Sequence, residues 1–392
     1  MPSPTVLHVD LDAFFVSMEL LRRPELRGQA VIVCGGLGQR GVVNTCSYEA
    51  RRFGVRSAMP VSEARRRCPG GVYLPSDFQY YAPASKAFHA ILREYTPAVE
   101  PAGTDEAYLD VAGSERLFGG APGIAATIRR RIRDEIGITA SIGVSTNKLV
   151  AKVASDAGKP DGLVVVEAGE EASFLAPRAL RELPMIGPRT AAALEQLGVR
   201  TIGDLAAIPV SALESRFGSH GLELHRRALG QYLAPVLHER ARARSMSRET
   251  TFDTDVADGQ RLRGILRSQA DHVAAQMAAE SLAARTVTLK LRFPPFETLT
   301  RSATPGQLLM LGSDLYGAAL ALFERAWDAN GRRPVRLLGL GATGFVEAGR
   351  QLRLGEDVRG IQLERTLGDL RVRFGSSAIR HGHQLGDGDH YP

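Results

Sequence analysis

Val6-Leu7-His8-Val9 is a short apolar run closed by Asp10, and it reads as a buried strand with an acid at its carboxyl end. Helical spacing follows over residues 14–21 and stops at Arg22-Arg23-Pro24. Residues 29–34 and 41–46 read as buried strands flanking a Gly-rich turn. Ser47 is a candidate N-cap for a short helix that places Tyr48 and Arg51 on one face, and Gly54 suits a left-handed close to it. Residues 60–68 and 78–95 have helical spacing, and Thr96-Pro97 ends the second. Gly103 to Asp110 then reads as a turn feeding a strand. Residues 124–135 form an arginine-rich helix whose charge run suits a solvated face. A strand at 139–144, a helix at 148–157 capped by Ser145-Thr146-Asn147 and a strand at 162–166 complete this part. The order predicts an α+β sheet with helices on one face.

Near Glu170 the texture changes to short helices. Leu183-Pro184-Met185-Ile186-Gly187-Pro188-Arg189-Thr190 has the form of a helix-hairpin-helix turn, whose backbone N–H groups suit a DNA phosphate; a purely structural helical hairpin fits the same residues. Residues 240–248 read as a basic linker. Beyond it lie a helix at 261–284, a period-two strand at 286–293 with Lys290 and Arg292 on its polar face, a strand at 298–301, a mostly helical stretch at 305–330 and a strand at 335–340. A sheet face carrying cations suits a nucleic-acid backbone. The remainder, from about 347, is polar with one amphipathic stretch at 363–374.

A chain of 392 residues exceeds one ordinary core, so two to four domains are expected. Net charge is +6, from 49 Lys and Arg against 43 Asp and Glu, a modest excess compatible with a polyanionic partner. The three cysteines, Cys34, Cys46 and Cys68, lack metal-ligand spacing and cannot all pair, which fits reduced thiols in a cytosol. The first residues lack the pattern of a signal peptide, and no apolar run approaches the ~20 residues that span a bilayer, so a cytoplasmic protein without membrane contact is expected.

The candidate chemistry lies in two acidic stretches, Asp10-Leu11-Asp12 and Asp105-Glu106. Each stands at a strand end among apolar residues. Adjacent side chains on a strand point to opposite faces, so Asp105 and Glu106 reach one spot only if the strand entrance is a turn or bulge. Carboxylates from two neighbouring strand ends make an oxygen site for hard divalent cations. Two such cations roughly 3.5–4 Å apart clamp both oxygens of a phosphoryl transfer.

The ordered motifs HVDLDAFFVSME, CSYEARRFGVRSAMP, GTDEAYLD, SIGVSTNKLVAKVASDAGKPDG, LPMIGPRTAAALEQLGVRTIGDL, TVTLKLRF and PVRLLGLG resemble the Y-family translesion DNA polymerases, most closely the DNA polymerase IV group. The resemblance runs from about residue 6 to 341. It implies an α+β multidomain right-hand polymerase: palm at 1–30 and 75–166, small fingers at 31–74, helical thumb with helix-hairpin-helix at 167–235, linker at 236–242, α+β little finger at 243–346 and a tail at 347–392. It implies that Asp10, Asp105 and Glu106, with the Leu11 carbonyl, hold two Mg²⁺ ions, Mn²⁺ being able to substitute. Tyr48, Arg51, Lys159 and Phe14 match nucleotide-binding positions, and Phe15 matches the ring that excludes a ribose 2′-hydroxyl. Gly187, Arg189 and Thr190 of the hairpin and Lys290 and Arg292 of the period-two strand are the candidate DNA contacts. Gln351, Leu352 and Leu354 resemble a sliding-clamp peptide without its common terminal Phe. The chain departs from the family pattern at Ala13 (commonly Tyr or Cys), Thr104 (commonly Ser) and Met185 (the first hairpin glycine).

The implied activity is template-directed, low-fidelity synthesis past damaged bases from dNTPs on primer-template DNA, by a monomer with no recognisable exonuclease. Two rivals stand beside it. A nucleotide cyclase shares the two-metal logic but not the hairpin or the basic C-terminal module. A catalytically inactive DNA-binding scaffold is at odds with three intact acids.

Overall fold

The computed structural model describes residues 5–38, 40–238 and 243–348, with single positions at 366 and 370. The clamp-like residues Gln351, Leu352 and Leu354, the amphipathic stretch and linker residues 239–242 lie outside the described residues. The chain divides into two compact units, Met1–Ala241 and Arg242–Pro392.

The first unit begins with β1 (Val6–Leu11) and α1 (Phe14–Arg22). Then come β2 (Val31–Cys34), β3 (Val43–Cys46), α2 (Tyr48–Arg51), α3 (Val61–Arg67) and β4 (Val72–Pro75). The next elements are α4 (Phe78–Arg93), β5 (Val99–Pro101), β6 (Glu106–Asp110), α5 (Glu115–Phe118) and α6 (Gly120–Arg131). β7 (Ala140–Ser145), α7 (Lys148–Ala157) and β8 (Leu163–Val165) close the series.

The main sheet has the order β5-β6-β1-β7-β8, antiparallel except for the parallel pair β7/β8. Leu7, Val9 and Leu11 of β1 point into a core with Phe88 of α4 and Ile124 and Ile128 of α6. His8 and Asp10 point the other way, as strand alternation requires. That second face is covered by α7, whose Ser155 meets His8. The sheet therefore carries helices on both faces, not on one as the element order suggests. The reason is Gly143 of β7, the register partner of His8. A Cβ built there falls 2.0 Å from the Ala151 carbonyl oxygen and 2.4 Å from the Ser155 nitrogen, so only glycine lets the helix lie this close.

A second, three-stranded sheet has the order β3-β2-β4 and its own core, in which Ile32, Val43 and Val61 pack with the three cysteines, all buried free thiols. The helices α8 (Glu171–Leu175), α9 (Pro188–Glu195), α10 (Ile202–Ala207), α11 (Val210–Phe217) and α12 (Ser219–Ala228) close around Leu175, Leu194, Ile202, Leu213 and Leu224. Leu149, Val150 and Val153 of α7 join that cluster, so α7 serves two cores. Met185, ahead of α9, has φ +77° and is 69% exposed.

The second unit contains β9 (Ser245–Val256), α13 (Gly259–Ala279), β10 (Leu282–Ala283), β11 (Thr286–Phe293), β12 (Glu297–Ala303), α14 (Gly312–Asp328), β13 (Val335–Thr343) and β14 (Val346–Glu347). Its sheet has the order β12-β11-β13-β9, all antiparallel. Val287, Leu289, Leu291 and Phe293 pack with Leu266 of α13 and Phe323 of α14. Strand β9 begins inside the stretch that reads as a basic linker. It is an edge strand, and only Met246, Phe252 and Val256 of its twelve residues are buried, so no period-two apolar signal marks it. Among the described residues no helix is long and apolar enough to cross a membrane.

Two measurements check these packing arguments. Gly143→Ala forces α7 off the sheet and is expected to cost about 3 kcal/mol, read as a lower denaturant midpoint at unchanged slope. Met185→Gly relieves a left-handed conformation that costs an L-residue roughly 1–2 kcal/mol, partly offset by glycine's greater freedom when unfolded, so a gain of about 0.5–1 kcal/mol is expected in the same assay.

Candidate active site

The ladder settles how the acids are arranged. Asp10 is the register partner of Glu106 on β6 and of Ser141 on β7, so these three side chains share one face. Asp105 lies one residue ahead of β6, in a bend over residues 103–105, and its carbonyl oxygen accepts from the Leu11 N–H at 2.9 Å. The strand entrance is thus a bend, as expected, although only Asp105 of the adjacent acids lines the cleft beside it. Asp10, Asp105, Leu11, Phe15, Arg51 and Lys159 line one cleft of about 390 Å³. Phe14 also borders it, although at 1% exposure it belongs to the core. Ala13 and Thr104, two of the family departures, line the same cleft. Glu106 does not line it; its carboxylate is drawn to Lys152 and His8.

Burial pushes the Asp10 carboxyl up to about 6, against the pull of the Lys159 ammonium 2.8 Å away. Burial and the charge of Glu106 raise Asp105 as well. Glu106 goes the other way, to about 2: His8 and the Lys152 ammonium, 2.7 Å away, outweigh its burial. The His8 ring is itself pushed below the ordinary histidine range by burial. Its Nδ1 pairs with Ser155 Oγ at 2.6 Å, while Nε2 stands 3.3 Å from Glu106 and off the axis of a good hydrogen bond. Lys152 is therefore the stronger partner of Glu106. Lys159 also pairs with Asp156 at 2.8 Å, and the two acids raise its ammonium despite burial.

Tyr48 and Arg51 face the same region, the guanidinium 4.6 Å from the Tyr48 ring centre. Burial and the charge of Asp12 push the Tyr48 hydroxyl up to about 12, so it stays protonated as a donor. The Phe15 ring stacks on Tyr81, centroids 4.7 Å apart at 17°, with Phe78 edge-on at 5.5 Å.

Lys152, His8, Ser155 and the hydrogen-bond role of Asp12 are not singled out by the sequence reading. One signal was available: Lys148, Lys152, Ser155 and Lys159 recur at spacings of four, three and four, which is one helical face. The arginine run also differs from a wholly solvated face. Arg129 and Arg133 grip Asp161, next to the Lys159-Pro160 turn, and Arg131 pairs with Glu94 and Glu135.

The expected DNA contacts fall on two places. Gly187 is the N-cap of α9, with Arg189 exposed and Thr190 half-buried in its first turn. In the second unit, Lys290 and Arg292 do stand on the open face of β11, but Lys290 pairs with Glu249 at 2.9 Å and Arg292 donates to Thr298 at 2.8 Å. Their neighbours are hydroxyls: Thr286 with Thr304, and Thr288 with Ser302. This face is less cationic than the spacing of β11 alone suggests.

Among the described residues no three carboxylate, imidazole or thiol side chains are gathered into a ready-made metal cluster. The donor chemistry nevertheless suits a hard divalent cation. All candidate donors are oxygens, two of the acids are raised by burial, and ammonium groups stand within 2.8 Å of Asp10 and Glu106, where positive charge is wanted.

Residues 9–156 match the impB/mucB/samB family, residues 243–354 its C-terminal domain, and residues 181–231 the DNA polymerase-iota thumb domain. The chain is 42% identical to a DNA polymerase IV of Dehalococcoides mccartyi, over 96% of each chain. It is 46% identical to one of Methanoculleus marisnigri, over 86% of this chain and 93% of the other. A solved Y-family DNA polymerase chimera of Dbh and Dpo4 superposes with a TM-score of 0.77 at 26% identity, covering 87% of this chain and 99% of that one. With the acids at the mouth of an antiparallel sheet and the matches running nearly end to end, the chain belongs to the Y-family DNA polymerases, in the DNA polymerase IV group.

Proposed function

We propose that this DNA-directed DNA polymerase copies damaged templates with low fidelity and without proofreading, using two-metal nucleotidyl transfer. The observation that carries the chemistry is the cross-strand pairing of Asp10 with Glu106, with Asp105 in the bend beside them. On this reading Asp10, Asp105, Glu106 and the Leu11 carbonyl hold two Mg²⁺ ions, for which Mn²⁺ substitutes. Bound there, divalent ions supply charge neutralisation for the triphosphate and a lowered pKa for the primer hydroxyl. The side chains do the rest. Tyr48 donates its hydroxyl, and Arg51 and Lys159 bring cations, to the triphosphate of a dNTP. Asp10 and Asp105, both raised in pKa by their surroundings, gain when positive charge arrives.

Phe15 lies under the sugar and leaves no room for a 2′-hydroxyl. Residues 1–30 and 75–166 act as palm, 31–74 as fingers, 167–235 as thumb and 243–346 as little finger, joined by a linker at 236–242. The small fingers sheet leaves the nascent base pair loosely checked, which is the source of low fidelity. Gly187, Arg189, Thr190, Lys290 and Arg292 contact primer-template DNA. The chain works as a cytoplasmic monomer, and Gln351, Leu352 and Leu354 dock on the replicative sliding clamp.

Primer extension on intact and damaged templates tests the reading. Asp105→Ala is expected to abolish extension while DNA binding stays within about threefold, since no phosphate grip is assigned to that side chain. Extension at the unaltered rate removes the metal assignment, and a wild-type protein that binds DNA without extending it is a scaffold.

The electrostatics give a second check without turnover. Asp10 has a folded value of about 6 against an ordinary 3.8, and Asp105 is raised too. A raised carboxyl holds its proton more tightly in the fold, so in EDTA Asp10 costs stability progressively as pH rises from about 4 to about 6, the loss then staying constant, and Asp105 acts in the same direction. Asp105 has no ion-pair partner of its own among the described residues. Asp105→Asn is therefore expected to raise metal-free stability at pH 7 by about 1 kcal/mol, an advantage that shrinks at pH 4 and in saturating Mg²⁺. An unchanged melting temperature at pH 7 counts against the crowding of acids.

For the sugar, Phe15→Ala is expected to raise ribonucleotide insertion relative to deoxynucleotide by about tenfold or more, measured as a ratio of kcat/KM values. An unchanged ratio assigns the exclusion to another residue.

A further inference from the structure

Asp12 is only 2% exposed, yet its carboxylate has no lysine or arginine partner among the described ion pairs. Neutral donors from separate segments satisfy it instead. Oδ2 accepts from Thr139 Oγ1 at 2.7 Å and from the Asp161 N–H at 2.8 Å. Oδ1 accepts from Ser141 Oγ at 2.8 Å and has the Tyr48 hydroxyl at 3.4 Å. The backbone is fixed as well: Asp12 N–H donates to the Thr139 carbonyl at 2.9 Å, and Ser17 Oγ donates to the Asp12 carbonyl at 2.6 Å.

These donors bracket the site. Ser141 belongs to the start of β7 beside β1, which carries Asp10, and Thr139 immediately precedes β7. Asp161 follows Lys159 by two residues and has φ +55°. Its carboxylate is held by Arg129 of α6 and by Arg133 just beyond that helix, so the turn is pinned from both sides. Tyr48 comes from the small sheet's helix α2. One carboxylate thus ties the main sheet, the turn bearing Lys159 and the helix bearing Tyr48.

We propose that Asp12 is a positioning residue for the nucleotide's triphosphate: it holds the Lys159 turn at the spacing that the phosphates need and keeps the Tyr48 hydroxyl beside the site, from where its one hydrogen bond swings from Asp12 Oδ1 to a phosphate oxygen when the nucleotide arrives. This rests on the assignment of Tyr48 and Lys159 to the triphosphate. A buried carboxylate that accepts several neutral hydrogen bonds is directional, and each partner has one way to reach it. Asparagine has nearly the same shape but turns an NH₂ group toward at least one of these donors, so the clamp loosens without leaving a cavity.

The test is single-turnover insertion of one dNTP by the full chain, with Kd for the nucleotide and the maximal rate measured separately. Tyr48→Phe and Lys159→Met come first; if neither raises the nucleotide Kd, the triphosphate assignment itself fails. With that assignment standing, Asp12→Asn is expected to raise the nucleotide Kd by about tenfold while the rate at saturating dNTP changes less than about threefold and primer-template affinity is unchanged. Combined with Lys159→Met, the effects are expected to fall short of multiplying, because both act on the same grip. Thr139→Val, which removes one donor from a half-buried end of the clamp, is expected to raise Kd about threefold and keeps the test open should Asp12→Asn not fold. An unchanged nucleotide Kd in the folded variant, or a loss confined to the maximal rate, or fully multiplicative effects with Lys159→Met, overturns the proposal.

Discussion

The register of the central strand is the constraint on which the site depends. Asp10 reaches the face of Glu106 and Ser141 only because Leu7, Val9 and Leu11 are committed to the opposite, apolar face. Side chains alternate with a period of two, so a slip by one residue puts Asp10 into the core and the leucines onto the acidic face. Burying those apolar side chains is worth about 1.5–3 kcal/mol each, which makes the alternative register untenable. The hydrophobic core thus places the acids, although none of its members touches them for chemical reasons. The opposite face then carries like charges in a half-buried groove. It tolerates them through Lys152 and Lys159, which lie close enough to neutralise in place.

Helix α7 supplies part of that neutralisation and is held from two sides. Its Ser155 and Lys152 face the sheet, over the glycine that lets the backbones approach. Leu149, Val150 and Val153 belong to the core of the helical segment that follows. A charge that must sit within about 3 Å of a carboxylate cannot ride on a loosely packed element. Fixing α7 between two cores meets that need, and it also ties the orientation of the helical segment to the acidic face.

Much of this was legible in the sequence. Strand β1, the helix with Tyr48 and Arg51 and the capped start of α7 follow from apolar periodicity and cap residues, and the structure has Ser47 and Asn147 accepting from Ala50 and Val150 backbone nitrogens as expected. The need for a bend at Asp105 followed from alternation alone. What was not legible depends on three-dimensional neighbours. Strand β9 hid in a basic stretch because an edge strand with polar residues on both faces has no apolar period. The second helical layer hid because Gly143 reads as an ordinary strand glycine until α7 is laid against it. Lys290 looked like a free cation because its partner, Glu249, lies 41 residues away and reaches it across Gly339, whose missing side chain opens the path. Asp12 read as half of a metal motif, whereas the three shortest hydrogen bonds to its carboxylate come from residues more than 120 positions distant.

The same logic extends to the ring of Phe15. On the proposed reading this ring sorts sugars by shape and has to resist being pushed aside, and a half-buried phenylalanine at the start of a helix is not stiff by itself. Here it lies flat on Tyr81, and the Tyr81 hydroxyl donates to Glu19 Oε1 at 2.6 Å. Glu19 is fully buried and holds Arg22 at 2.7 Å, which in turn reaches Asp77, the N-cap of the helix that bears Tyr81. A buried ion pair contributes little net stability, because desolvation offsets most of the attraction. Its effect in this place is geometric. It locks α1, which carries Phe15, to α4, which carries the ring beneath it, so that displacing Phe15 requires breaking a charged network rather than turning one side chain.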